Sequence, residues 1–125
     1  MHPDFDRLLA GILRRDQKAV AVSVSDPHPA SGRMLRDRWR RTLPDVENRI
    51  VVLPRLLPDA YFRLIAGAHV VLDSLHFGGA NTMYDAVAAG SPLVNWPSEL
   101  PRGRYAAALC RQIGIDECIA TSADA

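Results

Sequence analysis

The chain has 125 residues, 15 Lys and Arg against 14 Asp and Glu, and 48% hydrophobic residues. One domain of that size can bury a core, and the mixed composition excludes a disordered, collagenous or coiled-coil chain. A net charge of +1 gives no reason to expect nucleic acid as a partner, and no apolar run reaches the roughly 20 residues of a membrane span.

The start, Met1-His2-Pro3-Asp4, is unlike a secretion signal. Cys110 and Cys118 form neither a CxxC pair nor a disulfide framework, so the expected setting is the reducing cytoplasm.

Residues 4–15 place Phe5, Leu8, Leu9, Ile12 and Leu13 at helical spacing, with Asp4 and Asp6 at the start and Arg14 and Arg15 at the end, as the helix dipole favours. Residues 19–24 read as a strand, and Asp26-Pro27-His28-Pro29 breaks the chain. A helix follows over 32–43 with Leu35, Trp39 and Leu43 on one stripe, then a strand over 49–53 that Pro54 stops. Residues 58–67 read as a helix opened by Pro58, and 69–73 as a strand ending in Asp73. A turn at Gly78 and Gly79 leads into a helix over 81–89, closed by Gly90. Residues 92–95 form a strand, 102–113 a helix and 117–120 a last short strand, while 121–125 reads as a trimmed end. Continuous apolar strands alternating with helices predict an α/β fold, a doubly wound parallel sheet in one domain over 1–125.

The stretch from Asp73 to Val94 carries the chemistry. It runs from the carboxyl end of a strand, through a glycine turn, into a helix, where ligands of open α/β sheets bind. Gly78 and Gly79 permit a tight turn and a close backbone approach. Asn81 and Thr82 would sit at the helix N-terminus, which suits a phosphate, and Asp85 could accept hydrogen bonds from ribose hydroxyls. The plainer reading of the same residues is a strand-loop-helix connection with an Asn cap. From the residues alone, both stand.

The segment Gly78 to Val94 resembles the nucleotide-sugar motif of GT-B glycosyltransferases. More closely, the chain resembles the C-terminal catalytic lobe of the O-linked N-acetylglucosamine transferase family and its SPINDLY-like bacterial relatives. The likeness takes in the 4–15 helix, Asn48 to Pro54, Ala68 to Asp73, Trp96-Pro97-Ser98-Glu99 and Gly103-Arg104, in the family's order. It implies a Rossmann-like lobe that holds the donor, a nucleotide-sugar such as UDP-GlcNAc, whose sugar passes to protein Ser/Thr hydroxyls. Asn81 and Thr82 would hold the diphosphate, Asp85 the ribose, and the backbone around Arg55 and Leu56 the base, with Tyr61 covering it; Arg104 matches a family position. No metal and no cofactor besides the donor are implied, because helix dipoles and basic side chains neutralise the diphosphate.

Two departures matter. Ala80 stands where the animal enzymes carry a phosphate-contacting histidine, and Pro58 replaces a lysine near the base. UDP and GDP donors therefore both stay open, since SPINDLY-type relatives use GDP-fucose. The resemblance also implies that a central strand, a lysine for the departing diphosphate, the second lobe and the acceptor-binding arm lie before Met1. The 125 residues alone are then expected to be inactive, with the acceptor protein held by the other regions. Without that central strand, the strands over 19–24 and 69–73 would flank a slot with open edges. The expected outcomes are direct closure, filling by a second copy in a homodimer, or membership of a longer protein.

Other residues read more plainly. Arg33, Arg36, Arg38, Arg40 and Arg41 make a solvated helix face rather than a nucleic-acid helix. His2, His28, His69 and His76 lack metal-ligand spacing. His76, beside the glycine turn, is the one catalytic candidate, against the plainer reading of a loop residue. Arg102 and Arg104 precede a helix near the same sheet edge, where a local ion pair is the alternative to donor contact. Two rivals to a transferase are a non-catalytic nucleotide-binding module and a receiver-type domain, the latter lacking its acidic pocket.

Overall fold

The computed structural model describes residues 1–25 and 27–124; Asp26, in the expected break, and Ala125, in the expected trimmed end, lie outside them. Backbone contacts divide the chain into two compact units, Pro3–Leu57 and Pro58–Ala125 with Met1–His2.

The unit over Pro3–Leu57 contains α1 (Pro3–Arg15), β1 (Ala21–Val24), α2 (Pro29–Thr42) and β2 (Ile50–Leu53), with a 3-10 turn at Glu47–Arg49 leading into β2. β1 and β2 pair in parallel from Ala21 opposite Ile50 to Val24 opposite Leu53, so α2 is the crossover of a βαβ unit. α1 buries Phe5, Leu9, Ala10 and Leu13, but Ile12 of the expected stripe is exposed. Asp6 is also buried, at 4% exposure, and accepts from the Nε and Nη2 of Arg38 at 2.8 Å each and from Trp39 Nε1 at 3.0 Å. Asp6 therefore serves the core and not only the helix dipole, and Arg38 leaves the solvated arginine face. α2 starts three residues before the expected position, because Pro29 suits a first helical turn and His28 Nδ1 accepts the Ala30 N–H at 3.3 Å as a cap.

The other unit contains α3 (Pro58–Ala66), β3 (Val71–Leu72), α4 (Ala80–Ala88), β4 (Leu93–Val94) and α5 (Tyr105–Ile113). β3 and β4 pair in parallel, and Asn95 adds a single parallel bridge to Ile119. Ile65, Met83, Ala86, Leu93, Ala106, Leu109 and Cys110 form its core. Gly90 adopts the left-handed φ of +69° just past α4, where its N–H reaches the Val87 carbonyl at 3.0 Å.

Four expectations need correction. The strands over 69–73 and 92–95 shrink to two residues each. Asp73 still donates its N–H to the Val94 carbonyl at 2.9 Å, while its carboxylate turns to the next loop. The expected strand over 117–120 is a 3-10 turn, Asp116–Cys118, followed by one bridge. The helix over 102–113 begins as a separate 3-10 turn at Pro101–Gly103. The α/β alternation and the parallel pairing stand, but the described strands form two separate two-stranded sheets rather than one doubly wound sheet. Among the described residues, no helix is long and apolar enough to cross a membrane.

Candidate functional site

The site grows from the end of β3. Asp73, 8% exposed, turns its Oδ1 to accept the Gly79 N–H at 2.9 Å, and Gly78 N–H donates to the Arg102 carbonyl at 3.0 Å. Ser74 Oγ donates to the Phe77 carbonyl at 2.8 Å within the same loop. A Cβ on Gly78 would stand 2.7 Å from Asp73 Oδ2, so only glycine fits there without displacement. Burial pushes the Asp73 carboxyl above its ordinary value, while the Gly79 and Ser74 backbone N–H groups pull it down.

This anchored turn delivers the N-terminus of α4. Gly79 is its N-cap and no side chain caps it, so the expected Asn cap is not formed. Asn81, exposed, and Thr82, half-buried, occupy the first turn. The Tyr61 hydroxyl, on α3, lies 3.4 Å from Thr82 Oγ1. Asp85 follows one turn later and is half-buried. Gly78, Gly79, Asn81, Thr82, Asp85 and Tyr61 thus share α4 or its immediate surroundings. Uncapped N–H groups at the positive end of a helix, flanked by hydroxyls, form an arrangement that can receive an anion.

His76 sits in the same loop with φ of +68°, and its ring meets the His2 ring edge-on at 4.6 Å between centroids. The Arg102 guanidinium stacks over Phe77 at 5.7 Å. Among the described residues Arg104 forms no ion pair; its Nε donates to the Ser98 carbonyl at 2.9 Å, beside a recess of about 300 Å³ lined by Pro97, Ser98, Glu99, Arg104 and Arg111. Leu56 belongs to the Pro3–Leu57 unit, half-buried after β2. That unit has its own recess of about 250 Å³ at the carboxyl ends of β1 and β2, lined by Ser25, Gly32, Arg36, Val52, Leu53 and Pro54.

Sequence reading missed Asp73 as the anchor of the turn; its place at the end of a strand, six residues before Gly79, was the available signal. It also missed Ser98 and Arg111 as lining residues, for which spacing alone offers none.

No family model matches the chain, and no curated protein matches it. Among solved structures, it is similar to a point mutant of the Thermobaculum terrenum O-GlcNAc transferase, with a TM-score of 0.88 and 21% identity, over 99% of this chain and 24% of that one. The chain spans about a quarter of that protein's length. It has the fold of the part of a glycosyltransferase on which it superimposes.

Proposed function

We propose that this chain is the donor-binding lobe of a glycosyltransferase that moves a sugar, GlcNAc in the leading reading, from a nucleoside diphosphate to protein Ser/Thr hydroxyls. The observation that carries the proposal is the uncapped N-terminus of α4 behind the Gly78-Gly79 turn, on a fold shared with an O-GlcNAc transferase. The first-turn N–H groups, with the Asn81 amide and the Thr82 hydroxyl, hold the diphosphate. Asp85 holds the ribose hydroxyls. Transfer needs an acceptor hydroxyl aligned on the anomeric carbon and charge stabilisation of the departing diphosphate. The α4 dipole supplies part of that stabilisation without a metal, and the acceptor side comes from outside these 125 residues.

Calorimetric titration of the chain with UDP tests the assignment. The expected dissociation constant is on the order of 0.1–1 mM for half a site. Asp85→Ala should weaken binding by about 1–3 kcal/mol through lost ribose hydrogen bonds. Equal UDP affinity in wild type and variant overturns the placement, and a GDP titration alongside decides the base. Sugar transfer by a protein containing this lobe separates a transferase from a non-catalytic nucleotide-binding module of the same fold.

A further inference from the structure

We propose that His2 and His76 together bind a divalent transition-metal ion of the zinc class. The two residues are 74 positions apart, which is why their spacing carries no metal signature, yet both belong to the same compact unit. Their rings meet at 4.6 Å between centroids and 82° between planes, and their ligand nitrogens lie within 4.8 Å of one another.

The ring separation suits one ion held by both. With a metal–nitrogen bond of about 2.0–2.1 Å, an ion lies roughly 3.2 Å from each ring centre, and centroids at this separation subtend about 90° at it. A tetrahedral site asks for about 109° between neighbouring ligands, so the two rings need only a small rotation apart to share a zinc ion. Neutral imidazole favours zinc, copper or nickel over magnesium or calcium. His2 is exposed and His76 half-buried, so an ion can enter and water can fill the positions the two imidazoles leave open.

The backbone adds an independent observation. Among the described residues, His76 is the one non-glycine at positive φ, +68°. Positive φ is uncommon away from glycine, although histidine adopts it more readily than most residues, and such outliers cluster at active sites and ligand clamps. Here that residue carries one of the two imidazoles. An ion bridging the pair would tie the loop between Asp73 and Gly78 to residue 2.

The test is calorimetric titration of the untagged chain with zinc chloride alone. Wild type is compared with His2→Ala, His76→Asn and, as a control at an exposed histidine, His69→Ala. Asparagine tolerates the left-handed backbone, so His76→Asn removes the imidazole without adding strain. Wild type should take one equivalent with a dissociation constant on the order of 10 μM. His2→Ala and His76→Asn should each weaken it about tenfold or more, and His69→Ala less than about twofold. No saturable zinc binding in wild type, or wild-type affinity in either His2→Ala or His76→Asn, overturns the proposal. If circular dichroism shows His76→Asn unfolded, His2→Ala decides alone, since its exposed position leaves the fold intact. Zinc binding does not depend on nucleotide binding, so this result and the UDP result fail or succeed separately.

Discussion

Replacing Asp73 by alanine and by asparagine separates its charge from its role as an acceptor. The carboxylate is buried and accepts the Gly79 N–H at 2.9 Å. Alanine leaves that N–H unpaired, at about 1–3 kcal/mol, but also removes a buried charge, so a net loss of about 1–2 kcal/mol is expected at pH 7. For a domain of this length that lowers Tm by roughly 3–10 °C. Asparagine keeps an oxygen for Gly79 and removes the charge, so it should match or exceed wild-type stability at neutral pH.

The pH dependence sharpens the distinction. Burial raises the folded-state pKa of Asp73 above its ordinary value. Its contribution is therefore full below the unfolded pKa of about 3.9 and lost as pH rises through the raised folded value. The stability of Asp73→Asn relative to wild type should grow from pH 4 to pH 8, as followed by thermal unfolding with circular dichroism. If Asp73→Asn loses as much as Asp73→Ala at pH 8, with no trend in pH, the carboxylate stabilises through its charge and the reasoning fails.

Two further substitutions probe the packing. Asp6→Ala should cost about 3–5 kcal/mol in urea unfolding, because it removes the buried acceptor of the Arg38 Nε and Nη2 groups and of the indole N–H of Trp39, which is 0% exposed; a loss under about 1 kcal/mol would show that water replaces the carboxylate. Gly78→Ala should cost about 1–3 kcal/mol by driving a Cβ toward Asp73 Oδ2 and should weaken UDP binding in calorimetry; unchanged stability would mean the turn has slack.

Helices were the legible part of this sequence. The spacing of Phe5, Leu9 and Leu13 and the stripe ending in Trp39 and Leu43 locate α1 and α2, because helical burial repeats within a short window. Strand length was not legible, since a ladder extends only as far as its partner does. Val71 and Asp73 donate their N–H groups to the Pro92 and Val94 carbonyls, but the pairing stops there because Asn95 turns to Cys118 and Ile119. Asp116 and Glu117 make a 3-10 turn where Cys118 and Ile119 had suggested a strand.

The candidate site divides the same way. The glycine turn and the helix start at Asn81 and Thr82 follow from local sequence, whereas the Asp73 anchor, the Tyr61 contact and the His2–His76 pair depend on tertiary neighbours. The left-handed backbone of His76 has only a weak sequence signal, because histidine adopts it more readily than most residues but at no fixed position.

Arg49 has a consequence for the order of assembly. Its guanidinium donates to the carbonyls of Leu13, Asp16 and Ala19 at and beyond the end of α1, closing that end from a residue at least 30 positions away. Those acceptors gain this partner only once the chain has looped back to the start of β2, and the loop must be closed before the hydrogen bonds can form. The last turn of α1 should therefore fray in an isolated peptide over residues 3–19, however well its apolar residues are spaced. Lysine at position 49 would not restore it, because a single ammonium lacks the planar fork that reaches several carbonyls at once.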